Sequence, residues 1–399
     1  MTSFTKEITN EIKSFLDTNF AKTDMKKSRF STRTKNMLTK IFKLIIQSEK
    51  EWCKTKFTTT TTKNIMKGTQ YDFIPRSIHT HIENKNKTCR IFSFLIGNRK
   101  FNVHITYSSD SILESSIENY IQKIFMWLYI ANFYAKHSAC SQHIDIFLFM
   151  TDVKKIIPTG KSITPVDANT AFTSTCKPVT EIHIFREEEW FKVLIHETFH
   201  CMGLDFSQMD CSLHDKNILS LFPVKSDVRI YETYCEMWAE IINVMFISYQ
   251  STRNAENIEL MIEKTEKMLH YERMFSLFQC VKVLKFYSLT YKNLHGSSRE
   301  DMILRKNYRE ETQVLSYYVI KSIFMFFMND FIEWCAQNNK GSLSFTKNDL
   351  TVHSFCSFVR EHYTHGDFLQ GVDLVEKWWR NPHKKNNVID TLRMTVFER

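Results

Sequence analysis

Residues 190–207 read WFKVLIHETFHCMGLDFS, and the residue types and spacing in this stretch together specify a chemistry. His196 and His200 stand four apart with Glu197 between them. On a helix both imidazoles leave the same face about one turn apart, where they can share one tetrahedral Zn²⁺. Glu197 then lies beside the metal, placed to take a proton from a water whose pKa the metal lowers, and so to produce a nucleophile for a carbonyl carbon. A lone HExxH can also arise by accident on a solvated helix face. The neighbours argue against that: Val193, Leu194, Ile195, Phe199 and Met202 are apolar, and Gly203 follows at a helix-ending distance. The stretch therefore reads as a buried helix whose His, Glu and His face inward and need a partner.

Downstream, residues 231–243 read YETYCEMWAEIIN, with Glu232, Glu236 and Glu240 at successive i, i+4 steps. Three carboxylates on one helical face repel one another unless a cation sits among them. The flanking Met237, Trp238, Ala239, Ile241 and Ile242 speak against a solvated acidic stripe. HETFH followed by ETYCE or EMWAE resembles the gluzincin branch of the zincin metallopeptidases. More narrowly, EEEWFKVLIHETFHCMGLDFS, the ETYCEMWAEIIN helix and TLRMT at 391–395 are similar to uncharacterised zincin-like proteins of large cytoplasmic DNA viruses.

That resemblance implies one Zn²⁺ per chain, with Glu197 as general base and a third ligand drawn from the acidic helix. In gluzincins the ligand is followed four residues later by an acid that orients a zinc-bound His. Glu232 with Glu236, and Glu236 with Glu240, both satisfy that spacing. The first register, with Glu232 as ligand and Glu236 as its support, keeps the polar pair away from the apolar run 241–246; the second makes Glu236 the ligand. A metzincin spacing would need a ligand at Phe206, which cannot ligate, and Asp205 falls one residue short; Asp205 is the candidate left if neither register holds. The resemblance also implies that Glu181, Ile182, His183, Ile184 and Phe185, just before the HExxH helix, form an edge strand holding an extended peptide substrate. It further implies a Tyr or His from the later half at the oxyanion, with Tyr317, Tyr318 and His270 as candidates.

Composition sets the frame. At 399 residues with 43% hydrophobic and 24% charged residues, the chain has the balance of a soluble, folded protein rather than a disordered one. Thirty-three Phe against 8 Gly and 6 Pro point to a helix-rich chain with a bulky aromatic core. The net charge of +9 is not concentrated into a basic run or a nucleic-acid signature, so no specific nucleic-acid partner is expected. Ten Cys without a CxxC pair suggest free thiols, a reducing compartment and a cytoplasmic location, in the host or a virion if the chain is viral. The charged start MTSFTKEITNEIKSF is unlike a signal peptide, and the apolar run 314–328 is interrupted by Lys321 and too short to span a bilayer.

In chain order, amphipathic helices are expected at 4–20 and 32–53 and a linker or strand edge at Thr58–Thr62. Period-two strands follow through Ile78, Thr80 and Ile82, then 91–96 and 101–105 around a Gly97–Asn98 turn, and alternation could gather His79, His81 and His104. A helix at 111–137, beginning with Ile112, precedes a strand at 144–150. Residues 158–178 read as a loop, and long helices cover 258–289 and 310–337. The C-terminal Trp378, Trp379 and the basic Lys384–Lys385 identify no partner. The expected architecture is α+β and helix-rich: an N-terminal helical segment (1–70), a zincin-like core with a small mixed sheet and the HExxH helix (71–250), and a C-terminal helical part (251–399) completing the cleft. The function expected is zinc-dependent hydrolysis of a peptide or protein substrate. The alternatives are a virion-associated structural or interaction protein that keeps the fold without turnover and, more distantly, a basic nucleic-acid-binding protein.

Overall fold

Two helices, α1 (Glu7–Phe20) and α2 (Thr32–Trp52), open the fold in a computed structural model that describes residues 7–20, 29–85, 88–107, 114–135, 138–252, 254, 256–381 and 386–398. The Ser31 hydroxyl caps α2 by accepting from Thr34 N at 3.2 Å. The strands are β1 (Thr58–Thr62), β2 (Thr88–Ile96), β3 (Arg99–Tyr107), β4 (His143–Phe149), β5 (Ala171–Thr173) and β6 (Val179–Ile184). Helices α3 (Arg76–Lys85), α4 (Glu114–Tyr134) and α5 (Pro165–Ala168) lie among them. Everything later is helical: α6 (Trp190–Cys201), α7 (Ser212–Leu221), α8 (Ile230–Gln250), α9 (Ile258–Phe286), α10 (Tyr291–His295) and α11 (Arg299–Leu304). A π-helical turn (Leu315–Ile320) leads into α12 (Lys321–Phe326), followed by α13 (Met328–Asn338), α14 (Asp349–His362), α15 (Gly366–Trp379) and α16 (Asn387–Asp390). The class is α+β and helix-rich, as expected.

The six strands form one mixed sheet in the order β1-β2-β3-β4-β6-β5. β1, β2 and β3 are antiparallel neighbours, β3, β4 and β6 run parallel, and β5 pairs antiparallel to β6. Gly97, at φ +58°, makes the tight β2–β3 turn that a side chain would strain. Alternation sends Phe101, Val103, Ile105, Ile144, Ile146, Leu148, Ile182 and Ile184 into the main hydrophobic core, which runs from Ile12 to Phe397 through all three expected segments. The opposite face carries Phe147 and Phe149, covered by Tyr71, Ile74 and two residues of α3, Ile78 and Ile82.

Several expectations are corrected. Ile78, Thr80 and Ile82 lie on a helix, not a strand: Ile78 and Ile82 are also one helical turn apart, so period two and period 3.6 both fit so short a run. His79 and His81 therefore leave His104. His79 Nε2 lies 2.9 Å from Tyr71 O, His81 pairs with Asp152 at 2.7 Å, and His104 stacks on Phe147 with centroids 4.5 Å apart. β6 is an interior strand between β4 and β5, so residues 181–185 cannot offer a free edge; β5, only three residues long, is the edge. The expected 310–337 helix is divided by the π turn and by a break at Phe327 (φ −104°, ψ 41°). Cys140 and Cys176 are joined in a disulfide, while the other eight cysteines are free. Ile112 and Lys384–Lys385 lie outside the described residues. No helix among the described residues is long and apolar enough to cross a membrane.

Residues 391–398 are buried throughout and run without regular secondary structure between helices. Beyond Leu392, whose N–H donates to Lys155 O at 3.1 Å, side chains serve that backbone. Glu189 accepts from Met394 N and Thr395 N at 2.8 and 2.7 Å, and Glu272 from Val396 N and Phe397 N at 2.8 and 3.1 Å. Tyr318 donates to Leu392 O at 2.7 Å and Asn243 to Phe397 O at 3.0 Å. Every buried peptide group needs such a partner, which explains the density of polar side chains in an otherwise apolar interior.

Candidate metal centre

Two helices of the main core build the centre. α6 is buried along its whole length and ends in a Schellman motif: Gly203 N donates to His200 O at 3.2 Å and Leu204 N to Phe199 O at 2.8 Å. Gly203 sits at φ +65°, and a Cβ there would lie 2.8 Å from Cys140 Sγ. The cap turns the chain sharply back, which puts Asp205, fully buried, beneath His200. α8 packs against α6, and its polar face meets the two histidines.

The ligand atoms converge. His196 Nε2 and His200 Nε2 are 3.0 Å apart, and Glu232 Oε2 lies 3.1 Å from the first and 3.3 Å from the second. Zinc–nitrogen bonds of about 2.0–2.1 Å at tetrahedral angles separate ligand atoms by about 3.3 Å, close to each side of this triangle. The residues present therefore fit one tetrahedral metal with three protein ligands, and the cleft lies on the remaining side. His196, His200 and Glu232 form one of two His/Cys/Asp/Glu groups among the described residues tight enough for an ion; the other, His200, Asp205 and Cys235, shares His200.

Each histidine is held from behind. Asp205 Oδ2 lies 2.5 Å from His200 Nδ1 and Glu236 Oε1 lies 3.0 Å from His196 Nδ1, the latter less well aligned than a hydrogen bond. These contacts turn both Nε2 atoms toward Glu232. Burial alone would lower the His200 pKa, but Cys235, Glu232 and Asp205 hold it well above the usual value; His196 is raised in the same way by Glu232 and Glu236. Glu236 itself is buried between two ammonium groups, Lys192 and Lys321, the latter at 3.3 Å, and Lys321 also binds Glu240 at 2.7 Å. The cations that the stacked acids require are thus lysines at Glu236 and Glu240, and Glu232 alone is left facing the histidine pair. That arrangement fits Glu232 as ligand and Glu236 as support.

Glu197 lines the cleft beside this triangle and has no hydrogen-bond partner among the described residues. Burial pushes its carboxyl pKa up, Glu232 and Glu236 add to the rise, and His196 and His200 oppose it. The cleft, of about 460 Å³, is walled by the edge strand β5 through Phe172 and Thr173, by the entry to α8 through Arg229 and Tyr231, and by residues 310–313. Tyr317 reaches into it, with its hydroxyl 3.2 Å from Glu232 Oε2.

The other expected site residues fall elsewhere. Tyr318 is committed to Leu392 O and His270 lies on α9 away from the cleft. Glu181 accepts from Thr69 N, Thr69 Oγ1 and Gln70 N at 2.9–3.0 Å and pairs with His183 at 2.8 Å, while Ile182, Ile184 and Phe185 are core. The supporting role of Asp205 went unread because it depends on the turn after Gly203. Lys192 and Lys321 carry no motif at all; only their isolation within apolar runs marks them. No family model, curated protein or solved structure compared with the chain matches it.

Proposed function

We propose that the chain is a zinc-dependent metallopeptidase of the gluzincin kind. The observation that carries the reading is the triangle of His196 Nε2, His200 Nε2 and Glu232 Oε2, with sides of 3.0–3.3 Å, one side of it toward a cleft. A structural zinc site is closed by four protein ligands, whereas three ligands with one open position belong to catalysis. Bound there, zinc would act as a Lewis acid and lower the pKa of a water.

The chain's own residues supply the rest. An extended peptide would pair with the free side of β5, whose other side is taken by β6. Its scissile carbonyl would then lie over Glu197, which takes the proton from the attacking water and passes it to the departing amine. The Tyr317 hydroxyl is close enough to the ligand triangle to donate to the oxyanion of the tetrahedral intermediate. Arg229, paired with Asp227 at 2.8 Å on the rim, is a polar contact for the peptide rather than for the reaction.

The test joins metal analysis of the purified chain to peptide-library cleavage by the wild type and by Glu197→Gln. One zinc per chain and cleavage that the variant loses while keeping zinc are expected. Protein that purifies without metal under non-chelating conditions sinks the reading. Metal without cleavage would favour a structural or interaction protein that retains the site.

A further inference from the structure

Next to the cleft, on the far side of Glu310, lies a second concavity of about 630 Å³. Its charge is opposite to that of the cleft. Lys225, Lys306 and Arg309 stand exposed on its rim and no ion pair to any of them is found among the described residues. Arg305, 8% exposed, belongs to its lining. Only Nη1 of that guanidinium is used, donating to Asn293 O at 2.8 Å and Gly296 O at 2.5 Å, so Nε and Nη2 have no protein partner among the described residues. Asp301, whose charge Arg305 feels, is itself committed to Ser298 and Asn293. A guanidinium fixed by two carbonyls with the rest of its fork free is a preformed anion receptor.

The remaining lining is apolar: Pro223, Val224, Met302 and the ring of Tyr308. Glu310 borders both hollows. It accepts from Tyr308 Oη at 2.7 Å and from Leu315 N at 2.8 Å and also binds Ser226, so a ligand lying along 305–309 continues directly toward the cleft wall at 310–313. We propose that this groove is an exosite for an acidic segment of a polypeptide substrate, with apolar side chains among its carboxylates. The proposal rests on the peptidase reading for its orientation toward the cleft. The apolar lining, and the absence of an exposed aromatic ring on which a base could stack, favour a polypeptide over a nucleic acid.

The test is fluorescence anisotropy with a labelled peptide alternating Glu or Asp with Leu, bound to the full-length Glu197→Gln chain so that the peptide stays whole. The groove variant is Lys306→Glu with Arg309→Glu; the control is Lys43→Glu with Lys50→Glu, which makes the same charge change on the exposed face of α2. Reversal in the groove is expected to weaken binding about tenfold or more at low salt, with the gap narrowing at high salt. The control should leave affinity unchanged, and the Gln/Asn version of the peptide should bind about tenfold more weakly. The proposal is overturned by unchanged binding in the groove variant, by equal binding of the amide peptide, or by equally tight binding of a single-stranded oligonucleotide of the same charge. Because this measurement involves no cleavage, its failure leaves the peptidase reading standing. Conversely, a wild-type chain without metal or turnover would not alter the binding result.

Discussion

Replacing Glu236 by Gln separates a zinc ligand from a buried structural charge. The carboxylate is 4% exposed, lies 3.0 Å from His196 Nδ1, and is shared by Lys192 and Lys321. Burial would raise its pKa, yet the two ammonium groups and His196 together hold it well below the usual carboxylate range. The amide keeps the shape and removes the charge, leaving Lys192 without its carboxylate and Lys321 with Glu240 alone. Removing one member of a buried ionic set costs about 3–5 kcal/mol. For 399 residues the unfolding entropy is about 0.8 kcal/mol/K, so the midpoint should fall by about 4–6 °C. The measurement is thermal unfolding followed by circular dichroism in chelator, where a lost ligand cannot contribute. Glu232→Gln, measured alongside, should change the chelated midpoint less and zinc affinity more: one ligand's share of a structural-scale zinc affinity is about 3–4 kcal/mol, or two to three powers of ten. A support costs only about 10–100-fold. Adding Lys192→Met to Glu236→Gln should restore part of the midpoint, because the uncompensated ammonium goes with its partner. If Glu236→Gln melts with the wild type in chelator but abolishes zinc binding, Glu236 is the ligand and the register shifts by one turn.

Asp205→Asn should weaken zinc about 10–100-fold without removing it, measured by competition with a chelating dye, since His200 keeps its place but loses the acceptor that orients it. Tyr317→Phe should leave zinc content intact and lower kcat by about 10²–10³-fold, the usual cost of one oxyanion donor; an unchanged kcat would remove the hydroxyl from the reaction. Asp215 should give a pH signature. Burial, helped by Asp227, raises its pKa to about 6, and its Oδ1 has no partner. Between about pH 4 and 6 the folded state therefore holds more of the proton than the unfolded state does, and stability falls as pH rises through that window. Asp215→Asn should then stabilise the protein at pH 7 by about 1 kcal/mol, because the side chain is partly solvated and screening cuts the full effect, and do little below pH 4; equal midpoints at pH 7 would contradict the shift.

The residues that meet at the candidate metal centre were readable because spacing on a helix fixes which side chains meet. The step of four from His196 to His200, and from each glutamate to the next, determines geometry before any tertiary contact forms. Glu181–Phe185 failed for the opposite reason. Strand position within a sheet depends on which strands pair, and a three-residue edge such as Ala171–Thr173 is too short to leave a periodic trace. Ile78 and Ile82 misled because one helical turn and two strand steps both span four residues. Tyr317 and Tyr318 are neighbours, and only the helix phase set by the π turn decides which faces the cleft and which faces Leu392.

The buried course of residues 391–398 also bears on the order of events at the ribosome. His196, His200, Glu232 and Glu236 are all synthesised well before Met394, Thr395 and Phe397, whose backbone Glu189, Glu272 and Asn243 await. At about 5–20 residues per second, the intervening stretch takes on the order of 10–30 s to emerge. During that interval Glu189, Glu272 and Asn243 have none of the peptide groups of 394–397 that they bind in the folded chain.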